Sequence, residues 1–386
     1  MIKILPLAFA LFCGSVSAAE LTRYTSQKLH QAQKMDAEGE LKRAIEILKP
    51  LDNLRRYDEA IVARSLGVYY WRSNQASKAV NELERALNTG SLSGDELYQV
   101  KMMLADLYFN QQQYLSSVTL YHSLVNQTTG ESLNTLWLKM AKAHYQLEDW
   151  QKAINAAKSV KPSTTEQKIE VLTLMFASQI KLKWWSGAEV SLKSLLGHQP
   201  DNALWWRQLV SVQMRQNKPN AALASLGVAQ QLVELTSQEQ QTYLQLLSQQ
   251  GAPERAASQL SQSESLTEEQ WIQQAYLWQQ AKEWDKAIEV WQQLARTDEQ
   301  YYLNIAQIHY RQGEYQPALA ALERIQLGQV EVWLLRAQVL YKLGRNSEAL
   351  EFARKANAKK PSTETDSWLV FLTQVAEASR SQKHFE

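Results

Sequence analysis

Apolar and polar positions alternate along the chain in a pattern that repeats. Leu66-Gly67-x-x-Tyr70, then Ala79-x-x-x-Leu83, then Ala86 is a helix, a short break and a second helix, each with its apolar residues three and four apart. The same spacing returns along the chain. The residue that follows the first-helix leucine falls at Ala32, Gly67, Ala105, Ala141, Ala177, Val210, Leu244, Ala275, Ala306 and Ala337. The small residue that opens the second helix falls at Ala44, Ala79, Ser117, Ala153, Ala188, Ala222, Ala256, Ala287, Ala318 and Ala349, and nine of these ten are alanine. Intervals in the first set run 35, 38, 36, 36, 33, 34, 31, 31 and 31 residues, close to the roughly 34-residue period of a stacked helix pair. Small residues at both sites let two antiparallel helices approach closely. Gly67 in mid-helix costs about 1 kcal/mol against alanine, which makes sense only if a neighbouring helix sits against it. The pattern therefore predicts an all-α array of about ten helix pairs over 20–361.

Prolines agree with these boundaries. Pro219, Pro253 and Pro317 fall at the start of second helices, where a missing N–H is harmless. Pro50, Pro162, Pro200 and Pro361 fall where a helix must stop. Glu364 to Ala378 reads as a last, unpaired helix within a 362–386 cap and tail, expected to present a polar outer face. Ser258–Glu269 is the weakest stretch, either a hinge or a degenerate pair, and the pairs around Leu244 and Ala177 depart from the pattern.

The spacing resembles that of tetratricopeptide repeat proteins from Leu21 to about Pro361. It is clearest over 60–90, 137–160, 271–295, 302–325 and 333–361. That resemblance implies a right-handed superhelix with first helices lining a concave face, a protein-binding role and no enzyme activity. A further resemblance rests on LTRYTSQKLHQAQKM, LKRAIEILKPL and YDEAIVARSLGVYYW near the start of the chain. These segments are similar to periplasmic repeat proteins encoded beside the TonB–ExbB–ExbD genes. The likeness implies a role accessory to energy transduction, with TonB or ExbD as partner.

The first nineteen residues read as a secretory signal. Lys3 supplies the positive end, Ile4 to Phe12 an apolar run too short to span a bilayer, and Val16-Ser17-Ala18-Ala19 the small residues read by a signal peptidase. Cleavage after Ala18 or Ala19 would remove Cys13, the single cysteine, and leave a soluble periplasmic protein without thiol or disulfide.

Composition narrows the function further. Of 386 residues 45% are hydrophobic and 21% charged, and 41 basic against 40 acidic residues give a net charge of +1. Nothing there suggests nucleic-acid binding or a polybasic membrane surface. Dinucleotide, Walker, HExxH, calcium-loop and GxSxG patterns are all absent from the sequence. His144 and His309 share one repeat position where tyrosine is usual, which fits packing better than metal binding. No cofactor, metal or catalytic residue is expected. The acid pairs Glu148-Asp149 and Glu268-Glu269 lie at helix ends, where carboxylates suit the helix dipole.

Counting Ala60 as the first position of the second pair, positions 5 and 12 of each first helix fall on a stripe beside its packed face. Position 12 reads Trp71, Phe109, Tyr145, Lys181, Met214, Ser248, Gln279, Tyr310 and Tyr341. Position 5 reads Arg64, Met102, Leu138, Leu174, Arg207, Gln241, Ile272, Leu303 and Leu334. Aromatics and arginines are the usual anchors of protein interfaces. The candidate partner-binding set is therefore Arg64, Trp71, Arg72, Phe109, Tyr145, Arg207, Met214, Arg215, Tyr310, Arg311 and Tyr341. The same side chains could instead pack between neighbouring first helices. A scaffold in an envelope complex is the expected function. A repeat component of envelope biogenesis or polysaccharide export, binding peptide or glycan in its groove, is the alternative.

Overall fold

The computed structural model describes residues 20–262 and 265–383. The expected signal segment and Cys13 lie outside the described residues. Among those described, every regular element is helical, with no strand. The chain forms two compact units, Met1–Gln216 and Asn217–Glu386.

The first unit contains five antiparallel pairs: α1 (Arg23–Ala37) with α2 (Leu41–Leu48), α3 (Arg56–Arg72) with α4 (Ala76–Asn88), α5 (Gly94–Asn110) with α6 (Tyr114–Leu124), α7 (Gly130–Gln146) with α8 (Trp150–Ser159), and α9 (Thr165–Lys181) with α10 (Trp185–His198). It closes with α11 (Ala203–Arg215), packed on α10. The second unit opens with α12 (Pro219–Leu232), packed on α13 (Ser237–Gln249), which pairs with α14 (Pro253–Ser261). It continues with α15 (Glu268–Gln280) and α16 (Trp284–Ala295), α17 (Tyr302–Gln312) and α18 (Tyr315–Leu322), and α19 (Val330–Lys342) and α20 (Asn346–Lys359), and ends on α21 (Thr363–Lys383).

One joint is repeated throughout. Each first helix ends on a residue in the left-handed region, in order Gly39, Asn74, Gln112, Glu148, Lys183, Asn217, Gly251, Lys282, Gly313 and Gly344, with φ between 54° and 82°. At the joints that lie within a unit the next residue's N–H donates back to the carbonyl five residues earlier, as Gln75 to Tyr70 at 2.8 Å and Glu314 to His309 at 2.9 Å. This is the hydrogen bond of a Schellman cap. It turns the chain sharply enough for the second helix to lie back on the first.

The small residues sit at the crossings as the pattern requires. Ala32, Ala105, Ala141, Ala275, Ala306 and Ala337 are fully buried, as are all nine second-helix alanines. A Cβ on Gly67 would come within 2.7 Å of the buried Leu83 side chain. Ser117, the one exception among the second-helix residues, is fully buried and donates at 2.8 Å to the Ala105 carbonyl across the crossing.

The fifth pair departs from its sequence reading. The joint at Lys183 and the Trp184 to Gln179 hydrogen bond put Phe176, not Ala177, at the crossing, twelve residues before Ala188 as in the other pairs. Ile180 and Thr173 thus take the places assigned to Lys181 and Leu174. A ring fits there because α10 offers buried Gly187, Ala188 and Ser191, and Ser191 hydrogen-bonds the buried Gln179 at 2.8 Å.

Prolines fall as expected, with Pro219 and Pro253 starting α12 and α14 and Pro317 in the first turn of α18. Across the weak stretch 258–269, α14 and α15 pack directly on each other. Buried Gln274 donates to Ser261 Oγ at 2.6 Å and to the Ala257 carbonyl at 3.3 Å, and Thr267 with Gln270 forms a capping box on α15. The last helix, α21, is longer than expected and packs on α20, and its Leu372 is fully buried. Its outer face is not wholly polar, because Val370 and Phe371 are 57% and 38% exposed.

Candidate protein-binding faces

The first helices of neighbouring pairs are tied by a ladder of polar contacts about one repeat apart. Arg72 on α3 pairs with Asp36 on α1, and Ser248 on α13 donates to Gln280 on α15 at 2.7 Å. Both contacts join position 12 of one helix to position 13 of the next. Arg64 on α3 donates to Gln99 at 2.8 Å and lies 3.8 Å from Glu96 on α5. Burial holds the Arg64 guanidinium below its ordinary pKa, and Glu96 opposes that shift. Lys139 on α7 donates to both oxygens of Asp106 on α5 at 2.7 Å, and Lys142 lies 2.6 Å from Glu170 on α9. Tyr301 donates to Glu268 of α15 at 2.6 Å, and its pKa is pushed up to about 12, chiefly by that hydrogen bond to a carboxylate.

The aromatic residues of the stripe are half-buried, and four meet rings on a following helix. Phe109 meets Tyr114 edge-on at 5.3 Å between centroids, Tyr145 meets Trp150 at 4.9 Å, and Tyr310 meets Tyr315 at 5.8 Å. In each case the partner is the first residue of the second helix, five residues on. Tyr341 packs edge-on against Phe371 and Trp368 of α21, at 5.1 and 6.3 Å. Trp71 packs against the core of the first pairs. Arg64 and Arg72 thus hold neighbouring helices together, while the rings of the stripe pack on the fold and stay half-buried.

Other members of the set are open. Met214 is 44% exposed, Arg207 and Arg311 are exposed, and the Arg215 guanidinium lies 5.2 Å from the Trp185 ring centroid. Arg311 has no ion-pair partner among the described residues. Arg64 through Arg215 belong to the first unit, and Tyr310, Arg311 and Tyr341 to the second. The helix-to-helix ladder escaped the sequence reading, because it depends on the register between helices some 36 residues apart. The position-12 aromatics are visible in the sequence, while their ring partners five residues on are set by the joint between the two helices.

His144 and His309 do pack at equivalent places. Each faces the acid that precedes its second helix, His144 to Asp149 at 3.8 Å and His309 to Glu314 at 2.6 Å. Burial lowers the pKa of His144. Among the described residues no group of three or more His, Cys, Asp or Glu could hold a metal ion. No helix there is long and apolar enough to cross a membrane.

The recurring left-handed joint, the small second-helix residue at each crossing and a period of about 34 residues make this a helical-repeat array with tetratricopeptide-like spacing. A family model described as anaphase-promoting complex, cyclosome, subunit 3 matches residues 291–356, from within α16 to within α20. Solved structures that match the chain include a tetratricopeptide repeat protein from Parabacteroides merdae, 12% identical, covering 72% of this chain and 99% of that one with a TM-score of 0.31. They also include the C-terminal part of a repeat protein from Cytophaga hutchinsonii, 14% identical, covering 70% and 95% with a TM-score of 0.40. MamA from Desulfovibrio magneticus is 12% identical and covers 46% and 97% with a TM-score of 0.35. With scores of this size, the repeat type rests on the helix pairs themselves. No curated protein sequence matches the chain.

Proposed function

We propose that the protein is a non-catalytic scaffold of the bacterial periplasm that holds a TonB-type partner, TonB or ExbD, through the first-helix stripe. Repeat arrays of this type present extended surfaces suited to binding other chains. The observation that carries the reading is the row of half-buried rings on the first helices of each unit, Phe109 and Tyr145 with the open Met214 in the first and Tyr310 with the open Arg311 in the second. The signal-like leader, and the likeness of the segments between Leu21 and Trp71 to repeat proteins encoded beside TonB genes, support the choice of compartment and partner. TonB-type proteins cross the periplasm as extended, proline-rich segments, and a stripe of aromatics and arginines suits such a chain.

The test has two arms. The purified protein should capture the periplasmic part of TonB or ExbD, and Arg311→Glu with Met214→Ala should weaken capture at least about tenfold without loss of helicity. Deletion of the gene should impair siderophore uptake in a strain left with a single TonB system. Normal uptake in that strain, together with no capture, sinks the proposal.

A further inference from the structure

Three tryptophans of the fourth and fifth pairs each carry a cation over the ring. Lys181 Nζ lies 5.7 Å from the Trp150 centroid, Lys158 Nζ 5.6 Å from that of Trp184, and the Arg215 guanidinium 5.2 Å from that of Trp185. Trp150 and Trp185 open α8 and α10, Trp184 caps α10, and Lys181 and Arg215 close α9 and α11. In an antiparallel array the ends of first helices and the starts of second helices share one edge, so these groups line one edge of the first unit. Lys158, further along α8, reaches back to it. A Cβ on Gly187 would come within 2.8 Å of the Trp184 ring, so the glycine is what admits the indole. Beside it at the joint, Leu182 and Trp184 remain 40% and 41% exposed.

The charges on this edge are unbalanced. Lys139, Lys142, Lys152 and Lys193 of the same pairs all meet carboxylates. Lys158, Lys181 and Lys183 are exposed and have no carboxylate partner among the described residues. Asp149 and Glu189 are engaged by Lys152 and Lys193, while Glu148 at the joint before α8 has no ion-pair partner among the described residues. Cations held over indoles keep their N–H groups available to an incoming anion.

We propose that this edge is a second docking surface, separate from the first-helix stripe, for an acidic and extended peptide segment of a partner protein. Carboxylates of the segment meet Lys158, Lys181 and Lys183, and an apolar side chain between them rests on Leu182 and Trp184. Charge complementarity selects an acidic chain, and the exposed leucine and indole select one that is not purely acidic.

Fluorescence anisotropy on the full chain tests this with a labelled peptide of repeated Asp-Phe-Asp-Pro, set against its Lys-Phe-Lys-Pro counterpart. The acidic peptide should bind, and more weakly at about 300 mM than at about 50 mM salt. The combined Lys158→Glu, Lys181→Glu and Lys183→Glu variant should lose at least about tenfold in affinity, while arginine at the same three sites retains binding. Lys183→Glu alone, at an exposed joint, gives the same readout should the triple variant lose helicity. Arg311→Glu should leave this binding unchanged, which separates the edge from the stripe. Equal affinity for both peptides, no effect of the lysine variants, or loss through Arg311→Glu overturns the proposal. Tighter, lysine-dependent binding of polygalacturonate overturns the peptide assignment in favour of an acidic glycan.

Discussion

At Lys282 the backbone holds φ at +61°, a conformation in which a Cβ is strained by about 1–2 kcal/mol and glycine is not. Gly313 and Gly344 occupy the same place in the next two joints. Lys282→Gly should therefore stabilise the protein by about 1 kcal/mol, net of the extra backbone entropy glycine loses on folding. Gly67 behaves in the opposite way. Alanine is the better helix former, yet its Cβ would meet a Leu83 side chain with no room to retreat. Gly67→Ala should cost about 1–3 kcal/mol. Urea denaturation of the two variants checks both signs. His144 sets a third expectation. Its lowered pKa means that the folded state binds fewer protons than the unfolded one just below the ordinary imidazole value. Stability present above about pH 6.5 is then lost as pH falls toward the folded value. His144→Tyr, which installs the residue found at Tyr70 and Tyr108, should shrink the loss of melting temperature between about pH 7.5 and about pH 5.5. An unchanged difference would mean that carboxylates alone set the acid response. The crowding at Gly67 was legible in the sequence, because glycine in mid-helix needs a reason. The hydroxyl bond of Ser117 was not, since a serine among alanines reads simply as another small residue.

Helices and their stops were legible because each is written locally, in apolar spacing, prolines and small residues. What lay beyond the sequence was register between elements. Phe176 reads as an ordinary large apolar residue beside the conveniently small Ala177, and only the joint at Lys183 shows that the phenylalanine takes the crossing. The same holds for Arg72 and Asp36, whose pairing requires knowing how α1 and α3 slide past each other. Such contacts explain why two of the candidate arginines tie helices together while Arg311 and Met214 stand open. A terminal helix needs a soluble outer face, but α21 keeps Val370 and Phe371 partly exposed, the latter because its ring also packs on Tyr341.

The whole chain forms two compact units, and the division falls inside the sixth expected pair, between α11 and α12. Sequence pattern reads Val210 and Ala222 as one pair, since periodicity follows the chain alone. Stability in an array is a sum of repeat and interface terms, so each unit can unfold with its own midpoint. Hydrogen exchange in rising urea should resolve two groups of protected amides, one within 20–216 and one within 217–383. A single shared midpoint would make the chain one cooperative body, and a break near 258–269 would return the weak point to the stretch that composition singled out.

The recurring joint carries a consequence for inheritance. Lys282, Gly313 and Gly344 follow one another at steps of 31 residues, and Glu283 and Glu314 stand in the same place after the first two. Excision of 283–313, which is 313 − 282 = 31 residues, would leave Lys282 followed by Glu314 and Tyr315, the same turn entering the same kind of second helix. Recombination between neighbouring repeats can thus shorten or lengthen the second unit by whole pairs without mending a single turn. The number of repeats is a quantity that a lineage can vary while the rule for joining them stays fixed.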